Sequence, residues 1–496
     1  MENFSFNLNG NLFRLLKAKY SSSASEIAEL VEDAEFDGRY EIEQLHQAQQ
    51  ALVTPRNRLL VELSWLPELS ASQITKTLDL LESSEVGSAL EEIDHFPELA
   101  KANIAAHLLA ADTLTEKAID FLSSAWEDVD PNTLISFINE ERANAGFPSV
   151  QDSQVREALD EVRLNHSKAA ASSIWRSESP GKLMNAVVEE QLEKNPSGGF
   201  LNSLVREYDA CSEGDLAHIT LAINERIKDA KKADDRLGDH VQALSGLLIS
   251  WDDVNQPVQL YEQYRGHEEG RSKQVYEKLR SLCLELANDH GRFADALRLS
   301  EALLQTFPEL ESVAESLKKD VSDLEELAKR QELHRCVEPL VEACEAAKKD
   351  PLGLRRAILR DGFNARDAGK RGTGKLARIV VAFRNAKSSM ADASVAYRII
   401  RDLALYLNNE KNDAETAFRL LDAFLEEVRG GGPSDILRQL DDERAILHKN
   451  WKMKELDAQA GDLNAMARII DEMLRYAKGS DKAELSLLHR RVSLSP

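Results

Sequence analysis

Along nearly the whole of this 496-residue chain, apolar side chains recur every three to four positions between one helix breaker and the next, and sustained alternation hardly occurs. That spacing gathers apolar groups on one stripe of a helix, whereas a half-buried strand needs a period of two. The chain therefore reads as all-α. Glycine and proline, 23 and 13 residues, punctuate it sparsely, so long helices and few turns are expected. With 43% apolar and 30% charged residues, it can bury enough surface for about three domain-equivalents, and disorder throughout is excluded. No stretch approaches the ~18 to 20 uninterrupted apolar residues that cross a bilayer, and the first ten residues lack the basic and apolar parts of a secretory leader. We expect a cytoplasmic protein that does not engage membranes.

Local signals place the first helices. Ser23 can cap free amides while Glu26 reaches back, after which Ile27, Leu30, Val31 and Ala34 share one face; Gly38 ends that helix. A second helix is expected to carry Ile42, Leu45, Ala48 and Leu52 on its buried side, to stop at Thr54-Pro55, and to restart through Leu59, Leu60, Leu63 and Trp65. Further helices are predicted over 72–83, 97–111, 115–126, 131–145 and 152–174, and Asn195–Gly199 reads as a linker.

The second half contains an internal repeat. Residues 280–307 laid over 401–428, at a constant offset of 121, match at ten of 28 positions without a gap, among them Arg280/Arg401, Asn288/Asn409, Ala296/Ala417 and Leu299/Leu420. Each copy reads as a helix, a polar turn and a second helix whose small alanine permits close crossing. Gly291, Phe293, Ala296, Leu303 and Pro308 resemble the turn and second helix of a tetratricopeptide repeat, with Asn412–Ala417 a weaker copy. The first helices lack that family's Trp and Gly, and 121 residues far exceed the roughly 34 of adjacent repeats. The resemblance implies a few diverged hairpins that offer binding surfaces within a larger helical assembly.

The amino-terminal strings Leu12–Leu16, Ser23–Ile27, Gln47–Leu52 and Thr54–Leu59 resemble, in order, the helices of a J-domain, the module through which co-chaperones drive the ATP-dependent heat-shock chaperone. The signature His-Pro-Asp is replaced by Glu35-Phe36-Asp37-Gly38-Arg39-Tyr40, and Glu26, Glu29, Glu32, Asp33 and Glu35 make the second helix acidic where that family presents a basic one. The resemblance then implies a J-like fold used for docking, with the heat-shock chaperone disfavoured as a partner by the usual route.

Sixty-two basic against 86 acidic residues give a net charge of −24, which repels nucleic acid and anionic bilayers at long range. One segment reverses the sign: Lys348–Arg401 holds 14 basic and four acidic residues, +10, leaving −34 for the remainder. We expect it to dock on the protein's own acidic helices, with Arg355, Arg356, Lys370, Arg371, Lys375 and Arg378 as candidate contacts for an anion or partner. Gly369 to Lys375 has the Gly-x-x-x-x-Gly-Lys spacing of a phosphate loop, but Leu376 stands where a magnesium-holding Ser or Thr is needed, and a charged helical stretch precedes it in place of a strand.

Eleven scattered histidines read as surface residues, and the cysteines 211, 283, 336 and 344 as reduced, mostly buried small hydrophobes; no metal spacing, nucleophile elbow or dinucleotide turn occurs. We therefore expect no catalytic residue, cofactor or metal. The organisation expected is a J-like domain over 1–68, a helical middle over 69–195, a helical region with the first hairpin over 196–345, and the basic segment with the second hairpin and terminal helices over 346–496. Function is expected to be that of a non-catalytic adaptor or scaffold binding other proteins, co-chaperone-like or within a multi-protein bacterial system. The alternative is a regulatory or sensor subunit whose basic patch binds nucleic acid or a phosphorylated ligand for a partner enzyme.

Overall fold

The computed structural model describes residues 7–38, 40–82, 93–110, 115–194, 199–232, 236–360, 374–390, 392–428 and 434–493. Among them lie 22 α-helices and no strand. The chain divides into two compact units, Met1–Leu324 and Glu325–Pro496.

Unit 1 opens with a 3-10 turn at Leu8–Gly10, then α1 (Leu12–Leu16), α2 (Ala24–Asp37), α3 (Ile42–Val53), α4 (Pro55–Leu63) and α5 (Ala71–Glu82). The capping box at Ser23 forms as expected: the Glu26 N–H donates to Ser23 Oγ at 3.3 Å, and the Ser23 N–H to Glu26 Oε2 at 2.7 Å. Leu45, Ala48 and Leu52 are buried, but Ile42 is 60% exposed, against expectation. It begins α3 at the turn end of the α2–α3 hairpin.

There follow α6 (Glu98–Ala110), α7 (Thr115–Asp128), α8 (Pro131–Ala145), α9 (Asp152–Trp175), α10 (Pro180–Lys194), α11 (Gly199–Ala230) and α12 (Leu237–Tyr264). Helices α5 to α9 begin and end within two residues of the stretches predicted for them. The linker expected at Asn195–Gly199 lies outside the described residues except for Gly199, the first residue of α11. Helix α6 is buried almost all round and packs on α7 and α9. Its Asn103 Nδ2 donates to the carbonyls of Leu63 at 2.8 Å and Trp65 at 2.6 Å, satisfying acceptors that the end of α4 leaves open.

A charged group sits at the heart of this region. Arg58, Glu62 and Arg142, from α4 and α8, are all at most 1% exposed. Arg58 Nε donates to Glu62 Oε1 at 2.7 Å, and Arg142 Nε and Nη2 donate to Glu62 Oε2 at 2.9 and 2.8 Å. The spare N–H groups reach main-chain carbonyls: Arg58 those of Tyr20, Ser22 and Leu52, Arg142 those of Pro55 and Pro148. The Arg58 guanidinium also lies 4.2 Å from the Phe147 ring centroid. Burial pushes the Glu62 carboxyl above its ordinary value, opposed by Arg142 and Arg58.

Unit 1 closes with α13 (Gly270–Asn288), α14 (Phe293–Thr306) and the start of α15 (Glu311–Lys348), within which the unit boundary falls. From Lys329 to Arg335 every residue of α15 is exposed, and the ion pairs Lys329–Glu325, Arg330–Glu326 and Arg335–Glu332 run along its own surface. Unit 2 then comprises α16 (Pro351–Arg360), α17 (Lys375–Ser389), α18 (Ser394–Asn409), α19 (Ala414–Val428), α20 (Ser434–Ala458), α21 (Leu463–Leu474) and α22 (Gly479–Ser493).

The sequence repeat is a repeat of backbone, one copy in each unit. Helix α13 ends at Asn288 and α18 at Asn409, and α14 and α19 begin five residues later at Phe293 and Ala414. The Arg292 N–H donates to the Leu286 carbonyl at 2.8 Å, and its counterpart Asp413 to Leu407 at 2.9 Å. Gly291 (φ 60°) and Asn412 (φ 53°) hold the same left-handed position in the turn. Ala296 and Ala417 are both fully buried.

Candidate functional site

Of the six basic residues singled out from the sequence, the four that are described engage different neighbours. Arg355, on α16, pairs with Asp413 and, at 3.3 Å, with Glu415, the acids at the start of α19. Asp413 also accepts from the Thr416 N–H at 3.2 Å, so Arg355 ties α16 to the cap of its neighbour. Lys375 begins α17, and its ammonium lies 2.8 Å from Asp350, whose carboxyl it holds below the usual range. Arg356 is exposed and donates from Nε to the Leu352 carbonyl at 3.3 Å. Arg378 is exposed on α17. Lys370 and Arg371, with most of the Gly369–Gly374 string, lie outside the described residues. Farther along the basic segment, Arg401 Nε lies 2.7 Å from both carboxylate oxygens of Glu443 on α20.

Two of the six, Lys375 and Arg378, meet at a groove of about 540 Å³ between α15 and α17. Its walls are Pro339, Glu342, Ala343 and Ala346 on α15, and Lys375, Ala377, Arg378, Val381, Ala382 and Asn385 on α17. Four alanines line it, Val381 is 45% exposed, and its charged residues are Glu342, Lys375 and Arg378. Among the described residues its lining has no cysteine, histidine, serine or threonine and one carboxylate, Glu342. A site of this kind can take an apolar side chain and steer a charged neighbour.

Elsewhere, several titratable groups sit in cores. Burial pushes Cys283 up to about 11 and Cys344 up to about 12, and raises Cys211 and Cys336, which are only partly buried. Three histidines expected at the surface are core residues. Burial lowers His107 and His448 to about 4 and His166 to about 3, so all three are neutral at pH 7. Trp126 Nε1 donates to His166 Nδ1 at 3.1 Å. His448 lies within a ring cluster with Phe418, Trp451 and Tyr476, and Trp451 is flanked by Lys452 at 3.9 Å and Arg419 at 5.2 Å.

One acidic recess stands out in unit 1. Asp252, with Asp253, Glu189, Asn185 and Lys182, lines about 330 Å³ between α10 and α12. Burial, then Glu309 and Asp253, raises the Asp252 carboxyl to about 7. Among the described residues no group of three or more His, Cys, Asp or Glu is arranged to hold a metal ion.

No family model, curated protein or solved structure matches this chain. Among the described residues, no helix is long and apolar enough to cross a membrane.

Sequence reasoning missed the Arg58–Glu62–Arg142 group. The i,i+4 spacing of Arg58 and Glu62 was a legible signal, whereas Arg142 stands 80 residues away and reaches Glu62 only through the packing of α8. Exposure at the α2–α3 turn was missed too, because a stripe pattern does not reveal where the neighbouring helix ends.

Proposed function

We propose that this protein is a non-catalytic adaptor or scaffold that binds other proteins in the cytoplasm. The observation that carries the reading is the α15–α17 groove, which sets four alanines and Val381 beside the charged Glu342, Lys375 and Arg378. The matching turns at Gly291 and Asn412 and the buried Ala296 and Ala417 support a description of the two hairpins as diverged tetratricopeptide-like units. The order of α1 to α4, with its break at Thr54-Pro55, supports a J-like fold for the first 68 residues. The acidic α2 argues for a docking role there and against attraction to an acidic chaperone.

The alternative, a sensor subunit for nucleic acid or a phosphorylated ligand, draws less support, since Arg355, Lys375 and Arg401 already face carboxylates of this chain. The test is capture from the native cell with full-length wild type and with Arg378→Glu combined with Val381→Asp. A stoichiometric protein recovered with wild type and lost from the variant is expected. Recovery of the bare chain at physiological salt, or of the same partner with both proteins, would count against the groove.

A further inference from the structure

The turn between α2 and α3 presents three large apolar side chains to solvent within seven residues: Phe36 at 92% exposure, Tyr40 at 42% and Ile42 at 60%. Phe36 is the most exposed large apolar residue among those described, the next being Leu352 at 68%. Single exposed apolar residues are ordinary; an aromatic pair and an isoleucine together on one hairpin end are the composition of an interface anchor. Around them the charge has one sign. Residues 26–43 contain eight acids and a single base, Arg39. Glu32, Asp33, Glu41 and Glu43 are exposed.

The end of the hairpin is also braced. Glu35 on α2 and His46 on α3 meet at 2.9 Å just beneath it, Gly38 turns the chain in the left-handed region at φ 62°, and the capping box at Ser23 fixes the far end of α2. Ile27 and Val31 pack with Leu45 and Ala48 in the core below. A side chain presented on such a support gives up little freedom when it is covered.

We propose that this tip is a docking surface for a basic amphipathic helix of another protein. Phe36 and Ile42 lie on that helix's apolar stripe, while Glu32, Asp33, Glu41 and Glu43 face the lysines or arginines that flank it. The proposal concerns a surface of unit 1 and stands independently of the α15–α17 groove.

The test uses the full-length chain and a fluorescein-labelled peptide of lysine and leucine patterned at helical spacing, with anisotropy as readout. Binding that weakens as salt rises is expected, and Phe36→Ser should weaken it at least about tenfold. Glu32→Lys with Asp33→Lys should do the same, whereas Leu221→Ser, which removes an exposed apolar group elsewhere in unit 1, should leave it unchanged. Circular dichroism of each variant checks that the fold is kept. Lack of binding at low salt overturns the proposal, as does salt-dependent binding indifferent to Phe36→Ser, which is mere attraction to an acidic chain. Association with phosphatidylcholine vesicles through Phe36 as tight as with the peptide would assign the tip to a bilayer and overturn it too.

Discussion

The buried Arg58–Glu62–Arg142 group allows a prediction whose size follows from its hydrogen bonds. Glu62→Gln keeps the shape of the side chain and removes the anion shared by two arginines that are both at most 1% exposed. Breaking a buried pair in this way costs about 3–5 kcal/mol, because the remaining charges have neither water nor a counter-ion. Replacing all three residues by apolar ones, Arg58→Met, Glu62→Leu and Arg142→Met, is often neutral or stabilising by about 1–4 kcal/mol in other buried groups. Here it should not be. The two guanidinium groups also serve five main-chain carbonyls, the closest being Tyr20 at 2.6 Å and Pro55 at 2.8 Å. Stripping the donors from those two alone costs about 1–3 kcal/mol each, comparable with the whole apolar gain. With the Ser22, Leu52 and Pro148 carbonyls stripped as well, the triple variant should stay less stable than wild type. Urea titration with hydrogen exchange read on peptides from residues 8–66 isolates this region from unit 2. A triple variant as stable as wild type would refute the reasoning, and so would a Glu62→Gln loss below about 1 kcal/mol.

Further predictions concern pH and backbone. His107 and His166 titrate at about 4 and about 3 in the fold and near 6.5 when unfolded, so each binds a proton on unfolding in between. Together the two should contribute a loss of about 2.7 kcal/mol of stability per pH unit as pH falls from 6 toward 4.5, and replacing both by Phe should remove that contribution from the slope of denaturant midpoints taken across the range. Asp252 runs the other way: its fold-raised value of about 7 means that stability falls as pH rises toward 7. Asp252→Asn should therefore stabilise at pH 8 by about 1–2 kcal/mol after allowance for its part exposure, and have no effect at pH 4; destabilisation at pH 8 would refute it. A Cβ on Gly181 would lie 1.5 Å from the Asp253 carbonyl oxygen, so Gly181→Ala should force α10 off α12 and cost about 1–3 kcal/mol in thermal or urea unfolding. At the duplicated turn, Gly291→Ala should cost about 1–2 kcal/mol while Asn412→Gly costs nothing or stabilises, since both positions are left-handed; equal effects would argue against equivalent turns.

Much of the architecture is legible without coordinates, and the reason is locality. A helix closes its hydrogen bonds four residues apart, so Ser23 with Glu26, Pro131 after Asp130 and Gly38 at a C-terminus announce its ends within a few positions. The 121-residue repeat is equally local in kind: the same residues make the same turn twice, down to the left-handed Gly291 and Asn412. What the amino-acid order determined by itself is the helical class, the helix ends and the duplicated hairpin.

Tertiary structure decided which faces found a neighbour. Whether Ile42 is core or surface depends on where α2 stops, and the same stripe that buries Leu45 leaves Ile42 in water. Whether Arg355 and Lys375 are free for a ligand depends on Asp413 and Asp350 arriving from other elements, which no count of charges reveals. Glu62 with Arg142, and the neutral His107 and His166, follow the same rule. Their energies come from desolvation and from partners brought together by packing across tens of residues, and a sequence pattern of period 3.6 carries no record of that distance.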